Sequence, residues 1–423
     1  MIKPVGPSCN LNCTYCYYLP KQQMFGEGAP RMSEETLEEL TRQYIRSQDG
    51  KVITFNWQGG EPTLAGLDFF RRAVALQDRY KRPGMVVENT LQTNGTLLDD
   101  RWCRFLRDNR FLVGLSIDGP CAVHDIYRRD RKGRPTCGRV VQAARALHEH
   151  QVQFNTLTVI NRENARRPLQ VYRFLRNIIG SRYMQFIPCV EPKGFENSPP
   201  RVLDESALQR TGDPAVRPGD PGSPVTEWSV DPEDYGSFMI ELFDEWVRRD
   251  VGTVFVMNFE VALASWLGLP AAACVFAERC GDALAVEHDG SVYSCDHYVY
   301  PQHRLGTIHE TEMAEMVSSD RQVQFGKEKA MALPPRCREC EVLFACHGEC
   351  PRNRFLQDAS GEAGLNYLCP GLRRFFNHID PWMALMAKEV AAGRSAENIL
   401  PLNPAPRGQA AAGSSPRPGR RNG

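Results

Sequence analysis

The chain has 423 residues, 42% of them hydrophobic, which is enough for one large domain with a smaller companion. Lysine plus arginine balance aspartate plus glutamate at 51 each, so charge gives no reason to expect nucleic acid or an anionic membrane as the main partner. No stretch reaches the ~20 consecutive apolar residues that span a bilayer, and Met1-Ile2-Lys3-Pro4 lacks the features of a signal peptide, so a soluble cytoplasmic protein is expected.

In chain order, a short strand is expected near residues 2–5, followed by the loop that carries Cys9, Cys13 and Cys16. Ser33, Glu34 and Glu35 read as the N-cap and acidic first turn of a helix whose apolar face is Leu37, Leu40, Tyr44 and Ile45. From residue 52 to about 189, the β-rich runs 52–57, 85–93, 111–117, 152–160 and 183–189 alternate with helical segments. With the first strand they make about six parallel strands, which right-handed crossovers would curl into a partial (β/α)6 barrel over residues 1–198; a doubly wound sheet is the alternative. Clusters of Pro, Gly, Asp and Arg mark 199–230 as a flexible insertion. Asp231-Pro232-Glu233-Asp234 opens a helical connector over 231–273, a cysteine-rich domain covers 274–375, and a helix is expected over 376–400. The last segment, 401–423, is too poor in apolar residues to offset the entropy of ordering and reads as disordered.

Fifteen cysteines in an intracellular chain point to metal ligation or redox chemistry, and their spacing has to decide. Cys9, Cys13 and Cys16 form a CxxxCxxC run just after a strand, where barrel active sites gather. Three thiolates hold a four-iron cluster with one iron open to a chelating cosubstrate; a structural zinc site with a distant fourth ligand would use the same spacing. Gln58-Gly59-Gly60-Glu61-Pro62 follows the strand 52–57, where two glycines free the backbone to approach a ligand and Glu61 can receive an ammonium group. Ser116, Asp118 and Gly119 at the end of the run 111–117 suit a ribose or make an ordinary turn.

The CxxxCxxC loop, the Gly-Gly-Glu-Pro turn and the βα count resemble the radical S-adenosylmethionine (SAM) superfamily. Cys13-Thr14-Tyr15-Cys16-Tyr17-Tyr18 together with Trp57-Gln58-Gly59-Gly60-Glu61-Pro62-Thr63-Leu64 resembles its anaerobic sulfatase-maturating branch. The resemblance implies that Cys9, Cys13 and Cys16 ligate a [4Fe-4S] cluster, that Gly60 and Glu61 meet the methionyl amine of SAM, and that Tyr18, Ser116 and Arg128 help to hold it. His124-Asp125 would orient Arg128.

Eight more cysteines follow as Cys274, Cys280, Cys295, Cys337, Cys340, Cys346, Cys350 and Cys369, the number that two fully ligated four-iron clusters require. Their spacing resembles the SPASM extension of radical SAM enzymes that modify peptides; two zinc sites are the alternative. The resemblance implies that Cys274, Cys280, Cys295 and Cys350 hold one auxiliary cluster and Cys337, Cys340, Cys346 and Cys369 the other, for three [4Fe-4S] clusters in all. It also implies that Asp296, directly after Cys295, is the base for the substrate's thiol or hydroxyl. Burial and the anionic cluster are expected to raise its pKa.

The implied reaction is abstraction of a hydrogen from the β-carbon of a peptidyl cysteine or serine by a 5′-deoxyadenosyl radical, giving Cα-formylglycine in a sulfatase. The substrate would be an unfolded or nascent sulfatase peptide, and the electron donor a flavodoxin or ferredoxin. Another SPASM-type peptide maturase, or a non-catalytic metal or electron-transfer protein, are the alternatives. Cys103 reads as a small buried residue, while Cys121, Cys137 and Cys189 are expected only not to be ligands.

Overall fold

The computed structural model of the chain describes residues 1–26, 30–194, 209–210, 217–358 and 360–402. Six strands pair in parallel and in chain order: β1 (Val52–Trp57), β2 (Val86–Thr93), β3 (Phe111–Ser116), β4 (Phe154–Ile160), β5 (Tyr183–Pro188) and β6 (Phe255–Val256). Helices connect them, as parallel neighbours require, and β1 does not pair with β6, so the barrel is partial.

Alternation along β1 and β4 explains which face is filled. In β1, Ile53, Phe55 and Trp57 are buried beneath helices, whereas Val52, Thr54 and Asn56 stay accessible on the other face. In β4 the same split puts Phe154, Thr156, Thr158 and Ile160 in the core and leaves Asn155, Leu157 and Val159 half-buried. The inner face is therefore mixed in polarity and open. Thr54, Asn56, Gln58, Thr90, Gln92 and Gln185 line a cavity of about 640 Å³ there.

The expected first strand does not form, and β6 at the opposite edge completes the six. Only Ile2 bridges, in parallel, to Trp57 on one side and Val286 on the other. Pro4 offers no N–H and Gly6 turns left-handed at φ 51°, so the chain cannot continue as a strand. Ile2 N–H donates to Asn56 O at 2.8 Å and Lys3 N–H to Val286 O at 2.9 Å, which ties the barrel edge to the cysteine-rich region.

The expected helix starts are found: Ser33 Oγ accepts from Thr36 N–H at the head of Glu34–Arg46, and the Asp231 carboxylate accepts from Glu233 and Asp234 N–H at the head of Pro232–Arg249. The interval expected to be flexible lies partly outside the described residues. Its end, 217–230, packs down instead: Val225 and Val230 are buried, and Val225 bridges Pro192. The last long helix starts at Cys369, seven residues before the expected position, and runs to Ala391. It crosses Pro232–Arg249 where Gly371 meets Gly236; a Cβ on Gly371 would lie 1.9 Å from Pro232 O. Of the segment 401–423 expected to be disordered, Pro401 and Leu402 instead close a 3-10 turn that starts at Ala396, and 403–423 falls outside the described residues.

Candidate functional site

The loop with Cys9, Cys13 and Cys16 sits at the C-terminal mouth of β1 to β3, gripped from two sides. On one side the turn after β1 is zipped to it, with Gly60 N–H donating to Gly6 O at 2.9 Å and Glu61 N–H to Ser8 O at 2.8 Å. On the other, Asn12 N–H donates to Arg129 O at 2.8 Å, Thr14 N–H to Tyr127 O at 3.0 Å and Arg131 Nε to Cys9 O at 2.7 Å. Leu11 N–H at 3.3 Å and Asn94 Nδ2 at 3.8 Å point at Cys9 Sγ, and Leu19 N–H at 3.3 Å points at Cys16 Sγ. These donors suit a ligated thiolate.

Gly60 is a glycine because of this loop: a Cβ there would lie 2.0 Å from Ser8 O. Glu61 is fully buried, and its carboxylate accepts from Thr63 N–H (3.1 Å), Thr63 Oγ1 (2.6 Å), Thr93 Oγ1 (2.7 Å) and Asn94 N–H (2.8 Å). It braces the turn as well as facing the site. We expect Gly60→Ala to lower stability by about 1–3 kcal/mol and to lose the N-terminal cluster, about a third of the bound iron. Urea denaturation and iron analysis check both.

Ser116 ends β3, and Arg128 lies near the mouth, its Nε donating to Asp118 Oδ2 at 3.0 Å and its guanidinium over the Tyr15 ring at 5.5 Å. Tyr15 Oη also donates to Asp118. The orienting group for Arg128 is thus Asp118. His124 acts behind it: Asp118 N–H donates to its Nδ1 at 3.3 Å. Thr136 Oγ1 donates to Arg128 O at 2.8 Å and so accepts from His124 Nε2, 3.0 Å away. Asp125 instead caps the next helix, accepting from Thr136 and Cys137 N–H.

Burial pushes the His124 pKa down to about 4. Between about 6.5 and about 4 the unfolded chain binds a proton that the folded chain refuses, so acid destabilises by about 1.4 kcal/mol per pH unit in that window. Urea midpoints measured from pH 6.5 downward should fall less steeply for His124→Gln than for the wild type.

Among the C-terminal cysteines, Cys295 lies in the electrostatic field of Cys350 and Cys274, and Lys329 in that of Cys350 and Cys280. Cys337 feels Cys369 and Cys340, and Cys346 feels Cys369 and Cys337. In each case the neighbouring cysteines come from the same set that the resemblance implied. Among the described residues, only Cys121, Asp125 and Cys137 bring three such ligand atoms within 4.8 Å of one another. Burial pushes the Cys9 and Cys350 thiols up to about 12, and buried thiolates of this kind need the counter-charge that an iron-sulfur core provides. Lys329, fully buried, donates to Cys274 O and Val275 O at 2.7 and 2.8 Å beside the first set.

Asp296 lies between the two regions. Lys3 forms a buried ion pair with its Oδ1, and Tyr17 Oη donates to its Oδ2 at 2.5 Å. The pKa expected from the sequence is reversed in the protein's own field. Burial raises it, but the Lys3 charge, His297 and the hydrogen bonds from Lys3 and Tyr17 outweigh burial and hold it well below the usual carboxylate range. Tyr18, expected at SAM, spends its hydroxyl on Glu287 Oε1 at 2.5 Å and packs with Ala285, Tyr293 and Val299.

Lys3, Tyr17, Arg352 and Glu191 had no warning in the sequence. Arg352 lies over the Tyr17 ring at 5.0 Å and pairs with Glu191, and the His297 ring meets the other edge of Tyr17 at 5.1 Å. A tyrosine next to a cluster cysteine was the one available hint.

Residues 4–175 match the family model for the radical SAM superfamily, and residues 274–341 match that for an iron-sulfur cluster-binding domain, SPASM. A serine-type anaerobic sulfatase-maturating enzyme of Bacteroides thetaiotaomicron is 43% identical over 95% of this chain and 94% of its own. The cysteine-type enzyme of Clostridium perfringens is 32% identical over 92% and 98%. A solved structure of native anSMEcpe with bound AdoMet superposes with a TM-score of 0.78 at 32% identity, covering 92% of this chain and 98% of that one. SuiB of Streptococcus suis, at 13% identity and a TM-score of 0.56, shares the fold. None of the described helices is long and apolar enough to cross a membrane.

Proposed function

This chain belongs to the anaerobic sulfatase-maturating enzymes of the radical SAM superfamily, and from that membership we propose that it oxidises a peptidyl serine or cysteine of a sulfatase to Cα-formylglycine. The observation that carries the reading is Asp296, a SPASM-domain carboxylate held at the seam with the cluster loop by Lys3 and Tyr17 from the N-terminal side. A cluster held by Cys9, Cys13 and Cys16 with SAM on its open iron would supply the hydrogen-abstracting chemistry at the substrate's β-carbon.

The chain's own residues do the rest. Cys9, Cys13 and Cys16 hold the N-terminal [4Fe-4S] cluster; Cys274, Cys280, Cys295 and Cys350 hold one auxiliary cluster, and Cys337, Cys340, Cys346 and Cys369 the other. Gly60, Glu61, Ser116 and Arg128 receive SAM, with Asp118 fixing Arg128, and Tyr18 closes the site from the SPASM side. Asp296 takes the proton from the substrate's hydroxyl or thiol, which its low pKa permits only while the substrate is held against it. Tyr17 steers the receiving oxygen. The unfolded sulfatase peptide enters the cavity inside the barrel, whose Gln58, Gln92 and Gln185 amides can pair with an extended backbone while Ile2, Leu40 and Met257 offer apolar contact. A small reducing protein such as flavodoxin or ferredoxin would deliver the electron that SAM cleavage consumes, and the electron left on the substrate after the hydrogen and the proton are gone would pass to an auxiliary cluster held by the SPASM cysteines.

The serine-type relatives, at 43%, 38% and 37% identity, favour serine over the cysteine-type relatives' residue as the preferred target. Anaerobic incubation of reconstituted protein with SAM, reductant and peptides carrying Ser-x-Pro-x-Arg or Cys-x-Pro-x-Arg tests the reading. Formation of 5′-deoxyadenosine with a mass change at the serine or cysteine is expected. Turnover of SAM with both peptides unchanged would sink it.

A further inference from the structure

Of the four cysteines left over by the cluster pattern, Cys103 and Cys189 are singly buried, while Cys121 and Cys137 are joined in a disulfide across 16 residues. Cys121 opens the helix Cys121–Tyr127 and Cys137 opens the helix Cys137–Glu149. Between them lies the segment that grips the cluster loop. Tyr127 O and Arg129 O accept from Thr14 and Asn12, the two N–H groups flanking Cys13, and Asp130 bridges Leu11. Arg131 holds Cys9 O, and Arg128, paired with Asp118, lies in the electrostatic field of Cys13.

Cys137 is buried, whereas Cys121 is solvent-accessible and open to attack by an external thiol. In a thiol-reducing compartment, a disulfide of this kind is characteristically redox-sensing rather than permanent. A cross-link closing this segment restricts how far it can swing from the cluster loop once its hydrogen bonds open. We propose that Cys121 and Cys137 form a reversible redox clasp that retains the N-terminal cluster: oxidised, the pair locks the gripping segment; reduced, it lets the cluster loop open. On closing, the two thiols release two protons and two electrons as their S–S bond forms, and a small disulfide such as oxidised glutathione is reduced to two thiols. The inference rests on Cys9, Cys13 and Cys16 being cluster ligands.

The test uses full-length holoprotein prepared without oxygen and equilibrated with either oxidised glutathione or a phosphine reductant. Alkylation after denaturation, read by intact mass, counts the two thiols. The SAM-perturbed electron paramagnetic resonance signal of the reduced N-terminal cluster is then followed during incubation with an iron chelator. Oxidised wild type is expected to lose that signal roughly three- to tenfold more slowly than reduced wild type or Cys121→Ser/Cys137→Ser, with the auxiliary signals decaying equally in all three. Because oxidised and reduced wild type differ in no residue, a misfolded variant does not blunt the comparison. Equal loss rates, a pair that stays as thiols in oxidised glutathione, or a zinc or iron ion that disappears in the double variant would each overturn the clasp. If the wild type shows no SAM-perturbed signal in either state, the underlying ligand assignment fails instead.

Discussion

Asp296→Asn is expected to slow peptide oxidation by about 10²–10⁴-fold while SAM binding and iron content stay at wild-type levels, because an amide cannot accept the substrate's proton. The substitution keeps the shape and the Tyr17 contact, but it strands Lys3, whose side chain is 1% exposed, without its counter-charge. Breaking such a buried pair from one side costs about 3–5 kcal/mol, so a loss of activity could be confused with a loss of fold. Lys3→Met/Asp296→Asn removes both charges and should recover much of the denaturation midpoint without recovering oxidation. Tyr17→Phe deletes only the hydrogen bond to Oδ2 and should lower product formed per 5′-deoxyadenosine by roughly tenfold. If Tyr17 works by orienting Asp296, the Tyr17→Phe/Asp296→Asn double variant is no slower than Asp296→Asn alone. Wild-type turnover by Asp296→Asn would remove the residue from the mechanism, whatever Tyr17 does.

The second large effect concerns the N-terminal loop. Replacing Cys9, Cys13 and Cys16 together by Ala is expected to abolish reductive SAM cleavage and to lower bound iron from about twelve to about eight atoms per chain, since two fully ligated clusters remain. Iron and sulfide analysis with 5′-deoxyadenosine detection reads both. Loss of all the iron would mean that the three sites are not independent, and unchanged iron would place the N-terminal cluster elsewhere. The loop's backbone anchors to the barrel are residues 6–8, 60–61 and 127–131, and its contacts with the SPASM region run through Tyr17 and Tyr18, which the substitutions leave in place.

The long, periodic features were readable in the sequence because their causes are local. Ser33 and Asp231 announce their helices through caps three residues long, and β1, β2 and β4 show their alternation within six to eight residues. The first strand was misread because apolar Ile2 and Val5 resemble a strand, while Pro4 and the left-handed Gly6 forbid one. The sixth strand, Phe255–Val256, is two residues long and pairs only with Tyr183 and Met184, too short to leave a period. The interval 217–230 looked flexible by composition, yet Val225 and Val230 find burial against segments remote in sequence.

The same division runs through the site. The CxxxCxxC loop that opened the sequence's metal reading, the Gly-Gly-Glu-Pro turn and the eight later cysteines could be found from the sequence by itself, because ligand spacing and turn chemistry are written over a few residues. That Gly60 is demanded by Ser8, that Glu61 braces its own turn, that Cys121 joins Cys137, and that Lys3 and Tyr17 converge on Asp296 were decided only by the tertiary structure. Lys3 and Asp296 are separated by 293 positions, and Arg352 and Glu191 by 161. Contacts of that range have no sequence period to betray them; they exist only once the barrel edge and the SPASM hairpin are folded against each other through Ile2 and Val286, and that packing also inverts the charge environment of Asp296.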